Sequence, residues 1–113
     1  MNKIKFIAVD FPGLQIPIGS LVKFKEEKQR YTVRSSNAIF LICTKPFNAQ
    51  KTTLYTVVDR KEKIRGTENL IFSFGAETDE QCKEMLERLT QGESEISHRN
   101  RIALNIEKYF INN

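Results

Sequence analysis

The chain has 113 residues and a mass of 13.1 kDa, the size of one ordinary domain. Its 40% hydrophobic and 28% charged residues are a globular composition, which excludes a fully disordered, collagen-like or coiled-coil chain. No apolar run approaches the ~20 residues that span a bilayer, and the N-terminal stretch, broken by Asp10 and Pro12, does not read as a signal peptide, so a cytoplasmic single domain over residues 1–113 is expected.

In chain order, Lys3 to Val9 predicts a short strand with Ile4, Phe6 and Ala8 on one face. Phe11 to Ser20, punctuated by prolines and glycines, reads as a loop. Leu21 to Lys25 alternates with Val22 and Phe24 inward, Glu26 to Gln29 is a hairpin loop, and Arg30 to Arg34 alternates again with Tyr31 and Val33 inward. Ser35-Ser36-Asn37 is turn chemistry. The run AIFLIC, Ala38 to Cys43, reads as a strand buried on both faces. Lys45 to Lys51 reads as a loop, because Pro46 is foreign to a central strand. Thr52 to Asp59 is rich in β-formers, and Arg60 to Lys63 is a charged hairpin tip. Arg65 to Asn69 suggests a tight turn before a last core strand, Leu70 to Phe74.

Five short strands at this spacing predict a mainly β, small antiparallel SH3-like β-barrel over 20–75. A helix follows over 78–91. Thr78 and Gln81 form a capping-box pattern, Asp79 and Glu80 suit the first turn, and Gly92 is a natural stop. Cys82, Met85, Leu86 and Leu89 make one apolar stripe, expected to pack on the barrel. In the basic tail, 96–113, Ile102, Leu104 and Ile106 alternate as a final strand would, with Tyr109, Phe110 and Ile111 packing back or fraying.

Charge is unevenly distributed. Residues 1–75 hold 13 Lys and Arg against 6 Asp and Glu, a net +7. Residues 76–95 carry −5 and residues 96–113 carry +2. A uniformly basic domain points to nucleic acid, whereas a bipolar one also suits a protein or a ribonucleoprotein that presents both signs. A candidate basic face comprises Arg34, Lys45, Lys51, Arg60, Lys61, Arg65, Arg99 and Arg101, on strand ends and loops that converge at a small barrel's mouth. There, cations would meet phosphates while the Phe47 ring stacks on a base; the plain alternatives are a core Phe47 and lysines that serve solubility. A candidate acidic face comprises Glu80, Glu84 and Glu87, opposite Met85 and Leu89; its plain alternative is a solvated helix face.

Catalytic chemistry finds little footing. Cys43 and Cys82 lie in apolar settings that suit reduced, buried thiols better than a single disulfide. His98 is the only histidine, so no metal site, cofactor or catalytic residue is expected. The one enzymatic alternative is metal-free RNA cleavage, with His98 as base and Arg99 and Arg101 holding phosphate; a solvated basic strand edge explains SHRNR equally simply.

The runs RYTVRSSNAIFLICTKPFN, TLYTVVDRKEKIRGTENLIF and ETDEQCKEMLERLTQGESEISHRNRIALNI resemble a group of small proteins of phages, prophages and related bacterial mobile elements. The recurring pieces are ICTKPFN, LYTVVD, RGTENLIF and SHRNR, and the resemblance covers about residues 20–107. It assigns no catalytic or binding residue. It implies a viral accessory protein, and such proteins often act by stoichiometric binding to host machinery, defence systems included. The expected function is therefore a non-catalytic binding module, a counter-defence (anti-CRISPR-like) inhibitor of a host protein or ribonucleoprotein that handles nucleic acid. Direct binding to DNA or RNA is the alternative, and a small ribonuclease comes third. No membrane partner is expected.

Overall fold

The structure, a computed structural model, describes residues 4–6, 13, 16–24, 27–47, 52–67, 78–96, 102–103 and 106–112. The strands are β1 (Ile4–Phe6), β2 (Leu21–Phe24), β3 (Tyr31–Ser36), β4 (Phe40–Phe47), β5 (Thr52–Asp59), β6 (Ile64–Gly66), β7 (Ile102–Ala103) and β8 (Ile106–Asn112), with helix α1 (Asp79–Thr90) between β6 and β7. They form one antiparallel sheet in the order β1-β8-β2-β3-β4-β5-β6-β7, so the C-terminal strand sits between β1 and β2.

The sheet curls into a half-barrel. Three strands separate β2 from β6 in the sheet, yet the Arg65 guanidinium of β6 lies over the Phe24 ring of β2, its Cζ 4.0 Å from the centroid. The mainly antiparallel β architecture, with one packed amphipathic helix and a C-terminal strand, is the one expected from sequence. Among the described residues the sheet holds eight strands, β1, β7 and β8 adding to those of the body. Among the described residues, no helix is long and apolar enough to cross a membrane.

Period-two alternation divides the core. Val22 and Phe24 of β2, Tyr31 and Val33 of β3, Leu41 and Cys43 of β4 and Val58 of β5 form one buried cluster, joined by Ile16 from the preceding loop. Ile42 and Val57 point to the other face, where they meet Cys82, Met85, Leu89 and Ile96, with Leu86 partly buried beside them. β4 is therefore buried on both sides, as its continuous apolar run predicts.

The helix forms where its caps dictate. Thr78 Oγ1 accepts from the Gln81 backbone N–H at 3.1 Å, and the Gln81 side chain accepts from the Thr78 N–H at 3.1 Å, satisfying donors that the first turn leaves orphaned. Past the C-cap Gln91, Gly92 takes a φ of +77°, the left-handed geometry that glycine adopts without a Cβ clash.

Several boundaries differ from the sequence reading. Ser35 and Ser36 belong to β3, and the turn falls two residues later. Asn37 decides this, because its Oδ1 accepts from the N–H groups of Ile39 (2.9 Å) and Phe40 (2.7 Å). Lys45-Pro46-Phe47 continues β4 instead of opening a loop. The last β3–β4 pair is Thr32 with Thr44, so Pro46 faces only Thr53 of β5, an edge position that tolerates a missing N–H. Arg65 and Gly66 lie in β6, paired with Val58 and Val57, and not in a turn. The expected strand Leu70 to Phe74 lies outside the described residues.

A bulge also interrupts the β3–β4 ladder. Val33 faces Cys43 and Ser35 faces Ile42, leaving Arg34 as the extra residue, and a bulge of this kind re-aims a side chain.

Candidate binding surfaces

Among the described residues, three of the basic candidates, Arg60, Arg65 and Lys45, are turned inward. Arg60 is fully buried; its Nη1 donates to the carbonyls of Asn37 (3.4 Å) and Ala38 (3.3 Å), beneath the β3–β4 turn. It lies two residues past the core residue Val58, so strand alternation carries it inside. Arg65 is buried for the same reason, since it pairs with Val58 across the sheet. Lys45, two residues past Cys43, follows the same parity, with its side chain only 11% exposed.

Lys45 and Arg65 meet one acid from the turn between β2 and β3, Glu27. Arg65 Nη2 lies 2.8 Å from Glu27 Oε2, Lys45 pairs with Oε1, and the Tyr31 hydroxyl donates to Oε1 at 2.9 Å. The cations also sit on aromatic faces, Lys45 Nζ 4.8 Å from the Tyr31 centroid and Arg65 on Phe24, while Phe24 and Tyr31 stack edge to face at 5.4 Å. Burial works to raise the Glu27 pKa. The hydrogen bonds from Lys45 and Tyr31 and the charges of Arg65 and Lys45 outweigh it and hold the carboxyl below its ordinary value. Burial, with the Glu27 hydrogen bond and charge, pushes the Tyr31 phenol up. An open cleft of about 340 Å³ lies beside the cluster, bordered by Tyr55, Thr67 and Ile102.

Arg34 is spent differently. From its bulge its Nη2 reaches Asp79 Oδ1 at 2.6 Å, at the start of α1, and Nη1 reaches Thr44 Oγ1 at 3.3 Å. The bond to Asp79 pushes the guanidinium pKa further up. Of the basic candidates, Lys61 alone among the described residues stands exposed, at the hairpin tip. Lys51, Arg99, Arg101, His98 and the Phe47 side chain lie outside the described residues.

The acidic candidates are placed as expected. Glu80, Glu84 and Glu87 are exposed on α1, with Lys83 among them and Glu84 Oε1 accepting from Arg88 Nη2 at 3.2 Å. A second group of acids, missed in the sequence, lies past the helix. A slot of about 310 Å³ opens between the β5–β6 turn and the C-terminal end of α1. Asp59, Glu62 and Glu95 line it, over Phe40, Ile64, Leu89 and Ile96. Asp59 Oδ1 accepts from the backbone of Lys61 (3.0 Å) and Glu62 (2.9 Å), which fixes the turn that carries Glu62.

Both cysteines are buried and outside any disulfide, on opposite faces of β4. Burial pushes Cys43 up to about 12 and raises Cys82 as well, the reverse of what a nucleophilic thiolate requires. Among the described residues, no group of three His, Cys, Asp or Glu side chains is placed to hold a metal ion.

Comparison with protein-family models, with curated proteins and with solved structures finds no match for this chain.

Proposed function

We propose that this chain is a non-catalytic binding module that occupies a basic surface of a protein or ribonucleoprotein through the acidic face of α1. The supporting observation is where the charges go. Arg34, Lys45 and Arg65 are engaged by carboxylates of this chain and Arg60 by backbone carbonyls, whereas Glu80, Glu84 and Glu87 stay at the surface. Cations buried against internal partners are not presented to a phosphate backbone, while exposed acids steer the module to partners of opposite sign. Proteins that handle nucleic acid carry such basic surfaces. In the phage setting that the sequence resemblance implies, occupying such a host protein is how a counter-defence inhibitor acts.

Two measurements on the purified chain test this. Titration against bare duplex and single-stranded nucleic acid at several salt concentrations should show weak binding at physiological salt. Capture from nuclease-treated bacterial lysate should yield a protein partner, and the variant Glu80→Lys, Glu84→Lys, Glu87→Lys should lose it by roughly 10-fold or more, because like charges then face each other. Tight binding to bare nucleic acid, with log affinity falling by roughly 0.9 per phosphate contact against log salt and untouched by the helix substitutions, overturns the reading in favour of a nucleic-acid binder.

A further inference from the structure

We infer that the slot at the C-terminal end of α1 receives one arginine side chain of the partner. The inference rests on the binding-module reading and names the chemistry that anchors it. The floor is apolar, with Leu89 and Ile96 nearly fully buried and Phe40 and Ile64 partly so. The acidic residues Asp59, Glu62 and Glu95 line it too, and among the described residues no lysine or arginine does. Arg88, the base in the last turn of the helix, is directed to Glu84. The slot also adjoins the negative end of the α1 dipole, which favours a cation.

An apolar floor beneath an acidic rim matches one side-chain type, a long aliphatic stem that ends in a cation. Arginine fits better than lysine. Its planar group stacks on aromatic rings, and Phe40 lines the slot; it also sheds water more readily and pairs with a carboxylate through its fork of donors. At about 310 Å³ the slot lies at the lower end of ligand-site volumes, room for one side chain. Arginine anchors in pockets of this kind typically dominate an interface's energy.

The test uses the full chain and a blocked tripeptide, acetyl-Gly-Arg-Gly-amide, followed through the methyl signals of Ile64, Leu89 and Ile96 in carbon–proton NMR spectra. The expected result is saturable shifts at those methyls with a dissociation constant in the millimolar range, suited to a single anchor. The citrulline peptide, equal in shape but uncharged, and Glu62→Gln/Glu95→Gln protein should each bind about fivefold or more weakly. Both replaced residues lie at the slot's rim, and unchanged shifts elsewhere in the spectrum verify that the variant is folded. Equal binding of the citrulline peptide overturns the inference, as do a lysine peptide that binds more tightly, shifts confined to the Glu80–Glu87 face, and magnesium or calcium displacing the peptide. The helix-face reading is scored separately by the capture experiment, whose substitutions leave every slot residue intact.

Discussion

Arg65 of β6 and Glu27, in the turn between β2 and β3, are 38 residues apart in sequence and meet at 2.8 Å inside the curl of the sheet. The pair clamps the two sides of the half-barrel together, with Lys45 and Tyr31 sharing the same carboxylate. The Arg65 side chain is 5% exposed and that of Glu27 21%, so the charges are mutually dependent. Removing one leaves the other desolvated and unpaired.

Glu27→Gln should therefore destabilise the chain by about 2–3 kcal/mol, somewhat under the ~3–5 typical of a fully buried pair because the cleft admits water. The depressed pKa sets the pH dependence. The contribution is fully present above the ordinary value of 4.5 and is lost as pH falls through the lower, folded value. Urea titrations between neutral pH and pH 3 should show the parent losing stability below about pH 4.5 more steeply than the variant. Parallel pH profiles would remove Glu27 from that role.

On the helix, Met85 is fully buried and Leu86 only partly. Met85→Ala should cost about 2–5 kcal/mol and Leu86→Ala clearly less, because the cavity term applies in full only where neighbours surround the deleted atoms. Equal losses in denaturant titrations would mean that Leu86 is covered as completely as Met85.

Lys63 closes the β5–β6 turn at a φ of 57°, a left-handed conformation that a residue with a Cβ adopts at a cost. Lys63→Gly should raise stability by roughly 0.5–1 kcal/mol, the steric relief exceeding glycine's extra chain entropy. A lower melting temperature would show that the lysine side chain contributes more than the strain removes.

The thiols should be silent in the folded chain. With Cys43 pushed up to about 12 and Cys82 also raised, neither should react appreciably with iodoacetamide at pH 8 until denaturant is added, when both should be labelled. Mass spectrometry of the native protein resolves this, and rapid labelling of Cys82 would show that α1 opens readily.

The local elements were legible because their signals are short-range. The Thr78–Gln81 capping box, the stripe of Cys82, Met85 and Leu89, and the alternation of Val22, Phe24, Tyr31 and Val33 each depend on neighbours within a turn or two. Within the AIFLIC run, Phe40 to Cys43 likewise announced a strand covered on both faces, whereas Ala38 and Ile39 stand exposed in the turn before it. The acidic candidates on α1 were readable too, since helical period alone puts Glu80, Glu84 and Glu87 opposite the apolar stripe.

The destinations of the basic side chains depended on something composition does not contain. A count of lysines and arginines treats each as a surface charge, yet whether Arg60, Arg65 and Lys45 face out or in follows from strand parity and the curl of the sheet. Parity is ambiguous by one residue until the ladder's register is set, and the bulge at Arg34 shifts it again within β3. Pro46 entered β4 because β3 ends beside it. By itself the sequence determined the helix, the cores of strands β2 to β5 and where acid accumulates. Only the closing of β6 over β2 decided that one glutamate from a hairpin turn would neutralise two distant cations, because ion pairing requires contact within a few ångströms and the folded sheet alone brings those groups together.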